Sequence, residues 1–105
     1  MAFDGSEGTI IDKDQAAPMT TAYQEAHPGE FRAQFFGKDK LKELVADCGA
    51  EYVGIRIYNA LDDAGNQSFV IVGVKADEND MYDKAILATG PSCPPCCAPA
   101  SPLNL

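Results

Sequence analysis

The chain has 105 residues, 16 acidic and 8 basic, for a formal charge of −8 at neutral pH. A composition of 46% hydrophobic and 23% charged residues excludes wholesale disorder, and the length fits one hydrophobic core. The acidic surplus repels phosphate backbones and so argues against nucleic acid as a partner; no apolar run approaches the ~20 residues that span a bilayer, so no membrane insertion is expected.

In chain order, residues 1–13 read as a polar, Gly-rich arm whose only apolar docking point is Ile10 and Ile11. The arm lacks the basic start and apolar core of a signal peptide, which predicts a cytoplasmic location, although signal-independent export would leave the same sequence. A helix is expected over 15–26, capped by Asp14, with Pro18 tolerated in its first turn. Met19, Ala22, Tyr23 and Ala26 follow helical spacing and form its expected buried stripe. His27-Pro28-Gly29 ends it, with the His27 imidazole placed to serve the helix terminus. Phe31 to Phe36 alternates briefly like a short strand, and Gly37 closes it.

A second helix is predicted over 38–48, where Leu41, Leu44, Val45 and Cys48 line one face and Gly49 supplies the stop. Residues 52–60 and 68–76 carry β-branched side chains at period two, and the turn residues 61–67 between them predict an antiparallel hairpin. Val53, Ile55 and Ile57 mark the face to be covered by helices. Tyr52, Gly54, Arg56 and Tyr58 mark the other. A third, short helix is expected over 81–88, capped by Asp80. The expected fold is therefore α+β: a small antiparallel sheet built on the hairpin, with two to three helices packed on one face. Residues 14–90 form the expected domain, followed by a Pro/Cys-rich tail over 91–105.

Few residues carry recognisable chemistry. Cys93-Pro94-Pro95-Cys96-Cys97 offers thiols for a soft metal or for redox exchange, so Cys93, Cys96 and Cys97 are the metal-ligand candidates. Against that stand prolines that disfavour the helix a thioredoxin-type CxxC begins, and the absence of a second CxxC. In a reducing compartment these thiols are expected free and packed. The acidic turns Asp62-Asp63 and Asp77-Glu78-Asn79-Asp80 lack the EF-hand order and read as solvated loops. His27 is the only histidine, no catalytic set is recognisable and no cofactor is expected. Exposed aromatics and arginine often anchor partners, which singles out Phe35, Phe36, Tyr52, Arg56 and Tyr58.

Five segments taken together, Phe35-Phe36-Gly37-Lys38-Asp39, Gly54-Ile55-Arg56-Ile57-Tyr58, Val72-Gly73-Val74, Cys93-Pro94-Pro95-Cys96 and Pro102-Leu103-Asn104, resemble a small uncharacterised bacterial protein family. The resemblance implies that the tail is an integral part of the protein. It implies no activity, cofactor or catalytic residue. The reading that follows is a non-enzymatic protein–protein interaction or self-assembling module, with a protein partner or a homo-oligomer. The alternative is a small thiol-redox or metal-binding protein using the C-terminal cysteines.

Overall fold

A computed structural model describes residues 2–105. Its elements are helix α1 (Lys13–Ala26), strand β1 (Ala33–Gln34), helix α2 (Lys38–Cys48), a 3-10 turn (Gly49–Glu51), and strands β2 (Tyr52–Leu61), β3 (Gln67–Lys75), β4 (Ile86–Leu87) and β5 (Ser92–Cys93). One antiparallel sheet has the order β2-β3-β4, and a second pairs β1 with β5. The α+β class and the hairpin are as the sequence predicts. The chain divides into two compact units, one made of the segment up to Glu7 with Phe36–Gly90, the other of Gly8–Phe35 with Pro91–Leu105. Helix α1 thus groups with the tail, where the sequence groups it with the hairpin. Among the described residues no helix is long and apolar enough to cross a membrane.

In the first unit the hairpin turn is organised by Asp62, whose Oδ1 accepts the amides of Ala64 and Asn66 at 3.0 and 2.8 Å. Gly65 sits at φ 83°, which a side chain would resist. Helix α2 occupies its predicted span, and the amide of its C-cap, Gly49 at φ 77°, reaches the Val45 carbonyl. Leu44 and Cys48 are buried with Ile71 and Met81, and Phe36, Tyr52 and Leu87 pack against them. Burial of each large apolar side chain stabilises by roughly 1.5–3 kcal/mol. Gly73 makes the approach of helix to sheet possible, since a Cβ there would run into Cys48 Sγ.

The predicted third helix is absent. Asp80 bridges to Val74, the Met81 amide donates to the Gly73 carbonyl at 2.8 Å, and Ile86–Leu87 add a strand beside Val72 and Ile71. The physical reason is competition for the cap. The Asp80 carboxylate is taken by Arg56 and Tyr58, so it caps no helix. Asp47 of α2 then accepts the Ala85 amide at 2.6 Å, fixing the end of the turn through Tyr82 and Asp83 from which Ile86–Leu87 leave as a strand.

Burial pushes the Cys48 thiol above its ordinary value of 9.0, and the Asp47 carboxylate adds to the shift. The native state therefore holds this proton more tightly than the unfolded chain does. The associated stability is complete below pH ~9 and is lost as pH rises through the raised folded value. The urea midpoint is expected to fall more steeply above pH ~9 in wild type than in Cys48→Ala, measured by circular dichroism across a pH series.

In the second unit α1 begins two residues earlier than predicted. Asp12, not Asp14, is its cap, and with Gln15 it forms a capping box. Pro18 consequently lies beyond the first turn and leaves the Asp14 carbonyl without its intrahelical donor. The expected apolar stripe is also misplaced. Met19 and Tyr23 are exposed, and the buried residue is Gln24, at 6% exposure. Gln24 faces inward because its amide brackets the tail: Nε2 donates to the Leu103 carbonyl at 2.9 Å, and Oε1 accepts the Leu105 amide at 2.8 Å. Arg32 adds a bond to Asn104 Oδ1 at 2.8 Å. His27 does serve the helix end, with Nδ1 2.9 Å from the Tyr23 carbonyl and its ring stacked on Tyr23. Ile10 and Ile11 form no strand and are exposed.

Candidate functional site

Strand β2 is the outer strand of its sheet, bonded to β3 on one side only. An edge strand leaves alternate backbone N–H and C=O groups pointing outward with no ladder partner. Here the edge is ten residues long and apolar in part: Ile55 is 44% exposed, Ile57 54% and Leu61 74%. Ile55 and Ile57 lie on the same face as Gly73 and Ile71, over which α2 sits, but they are exposed rather than covered as expected, and Val53 falls at the bulge. The helix sits over the β3 side of that face, so the β2 side chains stay half-open.

A bulge decides the rest of the site. The pairing runs from Leu61↔Gln67 to Gly54↔Val74 in one register and then slips, so that Tyr52 pairs with Lys75. Val53 is the extra residue. A one-residue slip exchanges the two faces beyond it. Tyr52 therefore does not share the Arg56 face, as the alternation predicts, but packs with Phe36 against the α2 core. Both aromatics are corrected from presented anchors to partly buried side chains packed against the core. Phe35 is 65% exposed but belongs to the other unit.

Arg56 and Tyr58 are brought together. Arg56 Nη1 donates to Asp80 Oδ1 at 2.5 Å and to the Glu78 carbonyl at 3.2 Å, while the Tyr58 hydroxyl donates to Asp80 Oδ2. Hydrogen bonding to Asp80 holds the Arg56 guanidinium above its ordinary value. The three side chains tie the 77–80 turn to β2, and Arg56 is committed within the unit. The sequence missed the other participant, Phe3, whose amide donates to the Ala76 carbonyl at 2.9 Å and whose ring lies 5.9 Å from the Arg56 guanidinium carbon. A cavity of about 410 Å³ opens here between Phe3, Gly5, Glu7, Val53, Gly54 and Arg56. The Glu7 carboxylate accepts the Asp4 and Gly5 amides, each at 3.0 Å. Bonds from Ser6 hold the Asp4 carboxyl below its usual range.

The tail cysteines correct another expectation. Cys93 and Cys97 are joined in a disulfide, leaving Cys96 exposed and Cys48 buried as free thiols. A bonded sulfur has no thiolate to give a metal, so Cys93, Cys96 and Cys97 do not form a ligand set in this oxidised form. Among the described residues no group of three or more His, Cys, Asp and Glu converges. Titration with Ellman's reagent is expected to find one fast thiol in the native protein (Cys96), a second on denaturation (Cys48), and all four only after reduction. Two fast native thiols more than that would refute the disulfide.

No family model, no curated protein and no solved structure matches the chain.

Proposed function

We propose that this protein is a non-enzymatic protein–protein interaction module that takes an extended segment onto the outer edge of β2. One observation carries the reading: a ten-residue edge strand that, among the described residues, pairs with no strand on its outer side, with half-exposed Ile55 and Ile57 along it beyond the arm that meets Val53. Strand addition obtains affinity from main-chain hydrogen bonds and specificity from pockets beside alternate side chains. The edge supplies the first, and the cavity at Val53 and Gly54 adjoins it for the second. The test is selection of short random peptides against the full-length chain, followed by amide-resolved NMR titration. Selected peptides are expected to shift β2 amides, and binding is expected to fall at least tenfold in Ile57→Asp. Selections that yield no peptide shifting β2 amides would sink the proposal.

A second reading, thiol-redox exchange, draws on the exposed Cys96 thiol beside the Cys93–Cys97 disulfide. A partner dithiol would supply two electrons, becoming a disulfide as Cys93 and Cys97 become thiols. Equilibration in glutathione buffers distinguishes the readings: a potential near −180 to −230 mV, roughly that of exchange catalysts, supports it, and one below about −300 mV marks a structural bond.

A further inference from the structure

The edge of β2 is not electrostatically neutral. Exposed Glu51 precedes the strand, and exposed Asp62 and Asp63 follow it. Among the described residues, the cavity near its N-terminal half is lined by one cation, Arg56, already paired with Asp80, and one anion, Glu7, whose carboxylate accepts two neutral amides. Among the described residues the Glu7 carboxylate has no cationic partner, and it lines the same cavity as the Phe3 ring on a chain of charge −8.

These charges choose between occupants. If a second copy paired its β2 antiparallel to this one, Glu51 of each chain would come opposite the Asp62-Asp63 pair of the other. Like charges directly across a strand pair are destabilising. A segment with the opposite charge gains at the same positions. Gly54 has open space where a side chain would stand, so a strand laid along β2 meets bare backbone there and has room to drop a long side chain inward. The register slip at Val53 falls in the part of the strand that lines the cavity.

We infer that the occupant of the β2 edge is an extended basic segment of another protein, which adds a strand beside β2 and seats a lysine or arginine in the cavity between Phe3 and Glu7. This rests on the strand-addition reading above. The aliphatic stem of such a side chain packs along Val53 and the edge of the Phe3 ring, whose face Arg56 already takes, the cation meets the Glu7 carboxylate, and flanking basic residues meet Glu51 and Asp62. Such attraction weakens with salt.

The experiment uses a fluorescein-labelled peptide alternating valine and lysine, with matched peptides carrying norleucine or glutamate in place of lysine. Each is titrated into the full-length chain by fluorescence anisotropy, with NMR of the β2 amides. The lysine peptide is expected to bind and shift β2 amides, the norleucine peptide to bind about fivefold or more weakly, and the glutamate peptide not to bind measurably. Glu7→Gln is expected to weaken the lysine peptide several-fold more than the norleucine peptide and so to close most of the gap between them, whereas a merely structural role would weaken both alike. The norleucine comparison in wild type stands without any variant. Equal binding of all three peptides with β2 shifts would overturn the basic-segment assignment while the edge reading stands. No β2 shift with any peptide would overturn both. A dimer by light scattering with β2 amides protected from exchange would give the edge to a second copy, against this inference.

Discussion

Leu44→Ala is expected to destabilise the first unit by roughly 2–5 kcal/mol, measured as the change in urea unfolding free energy followed by circular dichroism. Leu44 is the most deeply buried large side chain, at 1% exposure, and it sits where α2, β3 and the Met81 segment meet. Truncation removes three carbons' worth of transfer energy and leaves a hole. Its lining includes Cys48 and Ile71, held on a helix and a central strand, and these cannot collapse into the space without unpairing β3 from its neighbours. The upper half of the range is therefore favoured. Domains of this size carry a total stability of about 5–15 kcal/mol, so the variant is expected to be partly unfolded at body temperature. Leu44→Met conserves most of the volume and is expected to lose less than about 1.5 kcal/mol. A loss below 1 kcal/mol for the alanine variant would place the core elsewhere.

The elements that were legible in the sequence are those whose stability is local. Helix α2 has its apolar spacing and a glycine at each end, and the structure keeps the predicted 38–48. The hairpin has β-branched alternation around an Asp/Gly/Asn turn, and its strands fall within a residue of prediction. What failed did so because a distant group captured a local one. Asp80 looks like a helix cap until Arg56 and Tyr58, 24 and 22 residues earlier, take both its oxygens. Gln24 looks like a solvent-facing helix residue until the tail, 79 and 81 residues later, offers it a carbonyl and an amide. Periodicity reports what a helix face would prefer to bury, and it carries no information on a hydrogen-bonding partner that far along the chain.

The site was half legible. Arg56 and Tyr58 share a strand face by simple alternation, and the structure keeps them together. Tyr52 was misassigned by the same rule, because alternation presumes a continuous register and the slip at Val53 breaks it. A signal was present: Gly54 lies inside an otherwise β-branched run, and a glycine in that position marks bulges. Phe3 was invisible because the arm around it has no periodicity. Its place follows from the Ala76 carbonyl and the Arg56 guanidinium, neither near it in sequence. The disulfide was hidden for a different reason. A CxxC motif draws attention to Cys93 and Cys96, whereas the bonded pair is Cys93 and Cys97.

Gly73→Ala separates two opposing effects whose magnitudes differ enough to predict the sign. An alanine in a strand interior is favoured over glycine by about 0.5–1 kcal/mol, because less backbone entropy is lost. Against that, the new methyl would run into Cys48 Sγ and come within 3.5 Å of both Cys48 Cβ and Met81 Sδ. Overpacking of this kind costs about 1–3 kcal/mol. The sulfur has little freedom to retreat, since it is one atom from a helix backbone whose Leu44 turn is locked in the core. The net expectation is destabilisation by roughly 1–2 kcal/mol, read as a fall in urea midpoint at unchanged slope. The cause is isolated by adding Cys48→Ala. With the sulfur gone, the methyl at position 73 fills its space and the backbone gain is left uncancelled, so the double variant is expected to be more stable than Cys48→Ala alone. The coupling between the two sites is then at least about 1 kcal/mol and of rescuing sign. If Gly73→Ala melts with wild type, or Cys48→Ala brings no recovery, the close approach of α2 to β3 at this glycine is not what positions the helix, and with it goes the account of why β2 is left uncovered at the edge.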